Sequence, residues 1–128
     1  MCKWSLGTLK DISAPECPHA LETREHSAKI KDSVLDCIGN TPMIRINNIT
    51  KAEGVECEVL AKAEFLNPSG SVKDRVGRRM VMDAEREGLI KKGDILVEAT
   101  SGNTGISLSM VAAVRGYSMI ITLPERFS

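Results

Sequence analysis

The feature that most constrains the fold is the alternation, between Cys57 and Leu123, of short apolar runs with segments of helical period. Cys57, Val59, Ala61, Ala63 and Phe65 alternate with Glu58, Leu60, Lys62 and Glu64, which predicts a strand with one well-buried face. Ser71 followed three residues later by Asp74 is a near capping box. Val76, Met80, Val81 and Ala84 then recur at helical spacing up to Gly88, so a helix is predicted over about residues 71–87. Ile95-Leu96-Val97 reads as a strand, residues 106–115 as a helix stopped by Gly116, and residues 119–123 as a strand ended by Pro124. Upstream, residues 33–38 form a short helical pattern stopped by Gly39-Asn40, and Pro42 leads into a strand over residues 43–46. Strand, helix, strand, helix, strand is the signature of parallel βαβ units, which places the chain in the α/β class.

Residues 1–31 have no sustained period, yet hold both histidines (His19, His26), Pro15, Pro18 and the only tryptophan. They are expected to form an irregular arm ahead of a core over residues 32–128. At 128 residues the chain is one domain in size, with seventeen basic residues balancing seventeen acidic ones. That neutrality argues against a nucleic-acid or polybasic membrane partner. No apolar run approaches membrane-spanning length and the start, Met1 to Gly7, lacks a secretory signal's apolar stretch, so a cytoplasmic location is expected. The four cysteines, Cys2, Cys17, Cys37 and Cys57, form no CxxC pair and read as free thiols or ligands; Cys37 and Cys57 have apolar neighbours and are expected to pack in the core. The last strand has no helix after it. Parallel strands normally have both faces covered, so the pattern predicts exposed apolar surface and reads as the front part of a larger α/β enzyme.

Two loops could carry chemistry. In Asn67-Pro68-Ser69-Gly70-Ser71-Val72-Lys73-Asp74-Arg75, Lys73 falls in the first turn of a helix. The positive end of the macrodipole there favours a free amine over an ammonium, as imine formation with an aldehyde cofactor requires. The competing reading is a solvated lysine paired with Asp74 or another carboxylate. The Gly-Lys-Ser/Thr order of a Walker A loop is absent. The second loop, Thr100-Ser101-Gly102-Asn103-Thr104-Gly105, lies between a strand and a helix. Free N–H groups, hydroxyls and two glycines could bind a small carboxylate or phosphate at the carboxyl ends of the strands. A plain capped turn has the same composition, and the loop is not the GxGxxG fingerprint.

Taken together, Ile38-Gly39-Asn40-Thr41-Pro42, the 67–75 loop and the 100–105 loop resemble the β-family (fold-type II) of pyridoxal-phosphate enzymes, which comprises cysteine synthases and cystathionine β-synthases. The resemblance runs from about Asp32 to Ser128. It implies that Lys73 is the Schiff-base lysine, that Asn103 hydrogen-bonds the cofactor's ring hydroxyl, and that Thr100, Ser101, Gly102 and Thr104 hold the substrate carboxylate. Within the family, Cys2-Lys3-Trp4-Ser5-Leu6-Gly7 with Cys17-Pro18-His19 is similar to the haem-binding N-terminal segment of animal cystathionine β-synthases. That likeness implies Cys2 and His19 as the axial ligands of a haem iron. Residues 83–88 and 112–117 are likewise more similar to those enzymes than to plant or bacterial cysteine synthases. Zinc held by Cys2, Cys17, His19 and His26, or an arm without a ligand, are the alternative readings of residues 1–31.

The implied reaction is β-replacement: L-serine loses its hydroxyl as water and L-homocysteine adds to give cystathionine, with hydrogen sulfide formation from cysteine as a side reaction. A homo-oligomer is the expected assembly. The alternatives are a cysteine synthase using O-acetylserine and sulfide, and a catalytically inactive truncated chain that binds haem or associates with a full enzyme. The sequence shows no later Gly/Thr-rich loop for the cofactor phosphate, no partner for its pyridine nitrogen and no C-terminal regulatory module. The chain alone is therefore expected to leave the active site incomplete.

Overall fold

The computed structural model describes residues 30–125. The arm, with Cys2, Cys17, His19 and His26, lies outside them. Residues 33–38 form a single 3-10 turn, Val34–Cys37, whose Ser33 hydroxyl accepts the Leu35 N–H at 3.2 Å. Strand β1 (Met43–Arg45) and helix α1 (Asn48–Ala52) follow, the helix unannounced by any periodicity. Next come β2 (Leu60–Lys62), a second 3-10 turn (Glu64–Leu66), α2 (Lys73–Arg86), β3 (Ile95–Ala99), α3 (Asn103–Arg115) and β4 (Ser118–Thr122).

β3, α3 and β4 form the expected parallel unit, with Ile95 opposite Ser118 and Ala99 opposite Thr122. β2 instead pairs antiparallel with β1, Met43 opposite Lys62 and Arg45 opposite Leu60, in a sheet separate from β3 and β4. The α/β class therefore holds, while one of the two crossovers joins different sheets. The long strand predicted over residues 57–65 shrinks to three residues. Its alternation fails at Glu64, where hydrogen bonds to the carboxylate pull the chain into a 3-10 turn and leave Phe65 exposed. Cys37 and Cys57 are also exposed, against the expectation that they pack in the core. On the first turn it is Leu35 and Ile38 that point inward. Next to Cys57, β2 is covered by no second layer among the described residues, and Leu60 is itself exposed.

The core gathers Leu35, Ile38, Val81, Leu108, Val111, Ala112 and Tyr117, with Leu96 and Met119 packing beneath from the strands. α3 is its centre, because Ser107, Val111 and Ala112 are all fully buried. The helix can lie this close to the sheet only because residue 105 is glycine. A Cβ there would stand 2.8 Å from Thr100 Cγ2 and 3.2 Å from Ile121 Cδ1.

α2 is the predicted helix with a different inner face. Val76 and Met80 are half exposed, and the buried stripe runs through Asp74, Gly77 and Val81. Small or hydrogen-bonded residues let α3 approach where larger ones would hold it off. Gly77 meets Ser107, and eight residues further along each helix Glu85 meets Arg115. Equal steps between the two contacts mean that the helices run parallel, side by side, with their N-termini at the same end.

Candidate active site

The parallel run of α2 and α3 decides where the chemistry can be. Lys73 is the first residue of α2 and Asn103 the first of α3, so both loops singled out in the sequence open at one end of the helix pair. That end also lies at the carboxyl end of β3, which feeds directly into Thr100. The Thr100 N–H bonds the Thr122 carbonyl at 3.1 Å, carrying the β3–β4 ladder to the edge of the loop.

The loop before α2 is held by its own side chains. Gly70 N–H closes a turn on the Asn67 carbonyl at 2.8 Å. Asp74, wholly buried, accepts the Ser69 N–H at 2.7 Å and the Ser69 hydroxyl as well. Its carboxylate therefore faces back into the loop, toward the helix N-terminus where negative charge is favoured. Asp74 thus spends its carboxylate oxygens on Ser69. The predicted capping box is half present: Ser71 Oγ accepts the Lys73 N–H at 3.2 Å, but Asp74 serves Ser69 rather than Ser71. Lys73 itself is exposed.

A second network ties this loop to Ile38-Gly39-Asn40-Thr41-Pro42. Gly39 N–H donates to Asn67 Oδ1 at 2.8 Å, and Asn67 Nδ2 donates to Glu64 Oε2 at 2.9 Å. The Thr41 hydroxyl donates to Glu64 Oε1 at 2.7 Å, while Arg75 grips both carboxylate oxygens at 2.8 and 2.9 Å. Arg75 Nη2 also reaches Thr41 Oγ1 at 3.2 Å. The Arg75 guanidinium and then the Thr41 hydroxyl hold the Glu64 carboxyl down at about 2, and the same pairing raises Arg75. Sequence reading passed over Glu64, Asn67 and Asp74 as functional supports. The one available signal was the crowding of Asn, Pro, Ser and Gly ahead of an acidic first turn.

At the other loop, Gly102 precedes α3 with no side-chain cap, and the first helical bond runs from Ile106 N–H to the Gly102 carbonyl at 3.3 Å. The amides of Asn103, Thr104 and Gly105 come ahead of that bond and have no acceptor within the helix. Asn103, Ser101 and Gly102 are exposed, Thr100 and Thr104 half-buried, and a Cβ at Gly102 would meet nothing within 4 Å. The arrangement combines an accessible primary amine, a carboxamide, hydroxyls and uncommitted N–H groups around open space. Such a donor set fits an aldehyde cofactor with a ring hydroxyl, together with a substrate carboxylate. Cys2 and His19, the predicted haem ligands, lie outside the described residues. Among the described residues no His, Cys, Asp or Glu cluster could hold a metal ion, and no helix is long and apolar enough to cross a membrane.

Comparison with known proteins agrees with this geometry. The family model for pyridoxal-phosphate dependent enzymes matches residues 34–128, and the chain belongs to that family. Within it, the chain is 51% identical to cystathionine beta-synthase of Apis mellifera over 99% of its own length and 24% of that relative's. It is 59% identical to cystathionine beta-synthase of Dictyostelium discoideum, over 77% of this chain and 20% of the relative. Among solved structures, O-ureido-L-serine synthase superposes with a TM-score of 0.72 at 45% identity, covering 78% of this chain and 31% of that one. The chain thus spans about a quarter of the length of the curated relatives it matches.

Proposed function

We propose that this protein serves a pyridoxal-phosphate dependent β-replacement of the cystathionine β-synthase type, in which L-serine and L-homocysteine give cystathionine and water. The observation that supports the reading is the common end of α2 and α3, at which both Lys73 and the Thr100–Thr104 stretch lie. The names of the most similar relatives support the choice of reaction, and the Apis relative matches across the arm as well as the core.

Lys73 would hold the cofactor covalently through its ε-amine, and the Asn103 amide would bond its ring hydroxyl. When bound, pyridoxal phosphate supplies the electron sink that makes the substrate's α-proton labile and lets the β-substituent leave. The Lys73 amine is the base placed to take that α-proton. The amides at the start of α3, with the Thr100, Ser101 and Thr104 hydroxyls and the Gly102 backbone, bind the substrate carboxylate and so fix which α-bond faces Lys73. Lys73 would pass the proton it has taken to the leaving hydroxyl, which departs as water. It would return the proton given up by the homocysteine thiol to the α-carbon once sulfur has replaced oxygen at the β-carbon.

Haem on Cys2 and His19, a cytoplasmic setting and a homo-oligomeric assembly belong to the same reading and are carried by resemblance alone. Borohydride reduction with pyridoxal phosphate present, followed by peptide mass mapping, tests the centre of it. Selective fixation on Lys73 is expected, and labelling spread evenly over the lysines would overturn the assignment in favour of a catalytically silent chain. The chain alone is expected to be inactive, so turnover is read on a protein that carries the rest of the catalytic core. There, O-acetylserine and sulfide consumed without serine and homocysteine would identify a cysteine synthase instead. A Soret band lost on Cys2→Ala is expected of the arm; an unchanged spectrum removes that ligand.

A further inference from the structure

Near their starts, α2 and α3 meet closely through the small residues Gly77 and Ser107. Ser107, fully buried on α3, donates its hydroxyl to the backbone carbonyl of Lys73 at 2.9 Å. A helical serine commonly spends its hydroxyl on the carbonyl one turn back in its own helix. Here it crosses to the neighbouring helix and to the residue that opens it. Room for it exists because residue 77 is glycine: a Cβ there would fall onto Ser107 Oγ and lie 3.2 Å from Ser107 Cβ. In regular helix geometry the Lys73 carbonyl also accepts the amide of residue 77. One oxygen at the helix contact thus takes a hydrogen from each helix.

Asn103 lies one turn ahead of Ser107 on the same side of α3. A shift of Lys73 along or away from α3 therefore has to break the Ser107 bond. We propose that Ser107, seated against Gly77, is a positioning residue that sets where Lys73 stands relative to the first turn of α3. It thereby tunes the reactivity of the Lys73 amine toward a carbonyl cofactor. The inference rests on the reading of Lys73 as the cofactor-bearing lysine, and it adds a residue that acts through Lys73 without touching cofactor or substrate.

The test uses the full chain as wild type, Ser107→Ala, Gly77→Ala and Val81→Ala, the last a destabilised control one turn further along the same buried stripe, with no part in the Ser107 hydrogen bond. Two quantities are compared where all four keep native far-UV circular dichroism: amide hydrogen exchange in the first turn of α2 without cofactor, and the rate of borohydride-fixed pyridoxal phosphate on Lys73. For loss of one buried hydrogen bond, exchange at residue 77 is expected to quicken and Lys73 fixation to slow, each by about fivefold. Gly77→Ala should move both in the same direction by displacing Ser107, and should still decide the matter if Ser107→Ala does not fold. Val81→Ala should lower the melting temperature and leave Lys73 fixation as in wild type. Wild-type fixation in Ser107→Ala, or equal slowing in Val81→Ala, overturns the proposal and leaves the Lys73 assignment standing. Absence of selective Lys73 fixation in the wild type overturns both.

Discussion

Glu64 accepts hydrogen bonds from Thr41, Asn67 and Arg75, and these hold its carboxyl at about 2 against an ordinary value of 4.5. A carboxyl depressed in the folded state adds stability above its unfolded value, and that stability fades as pH falls through the folded one. Glu64→Gln is therefore expected to melt lower than wild type at neutral pH, with the gap closing between pH 4.5 and about 2. Melting curves across that range check it; a gap that persists at the acid end would assign the effect to packing. Asp74 acts on the same loop from the other side. Asp74→Ala strands the Ser69 N–H and hydroxyl and should cost roughly 1–3 kcal/mol in urea unfolding, with weaker Lys73 fixation as the loop loosens. The loops that carry Lys73 and Asn103 stood out in the sequence through their composition, and each opens a helix. Glu64 and Asp74 did not, since a carboxylate's role depends on donors brought from Thr41, Asn67, Arg75 and Ser69.

At the scale of elements, α2 and α3 were readable, their faces only partly so, and the short α1 was not. Ser71 and Gly88 bracket α2 and Gly116 closes α3, where the cap signals expect them. The inner face of α2 follows Asp74, Gly77 and Val81 rather than Val76 and Met80, because α3 sets the separation through Ser107. Apolar periodicity assumes that large side chains face inward, and here a close helix contact excludes them. The same reasoning gives a prediction at α3. Gly105→Ala would press its methyl against Thr100 and Ile121 and should destabilise the fold by about 1–3 kcal/mol in urea unfolding. It should also slow Lys73 fixation, because it moves the first turn of α3. β2 was misjudged for the opposite reason: its alternation was present, but the hydrogen bonds of Glu64 ended the strand after Lys62.

At the largest scale, α3 covers one face of the β3–β4 sheet, and among the described residues no element covers the other. Leu96 and Met119 pack toward the core, while Ile95, Val97 and Ile120 are exposed, with Val97 and Ile120 opposite each other. Parallel sheets normally have both faces covered, so apolar residues on the second face have an ordinary use as a packing surface. A patch of this kind favours association. The chain is expected to sediment in a concentration-dependent way and to bind a hydrophobic dye, both reduced in Val97→Lys/Ile120→Lys. Because both side chains are exposed, the double variant should keep its urea midpoint within about 0.5 kcal/mol per site. A lower midpoint would show instead that the face is part of the packed core.

The sequence by itself determined the α/β class, the two long helices α2 and α3, the stops at Gly88 and Gly116, and the loops that carry Lys73 and Asn103. All are local matters of side-chain period, backbone freedom and capping, written in neighbouring residues. Only the tertiary structure decided that β2 pairs with β1, that α2 turns its glycine inward, and that Glu64, Asp74 and Ser107 hold the loops in place. Most of those contacts join residues far apart in the chain, and even the nearer Asp74–Ser69 pair depends on burial, which composition and spacing do not specify.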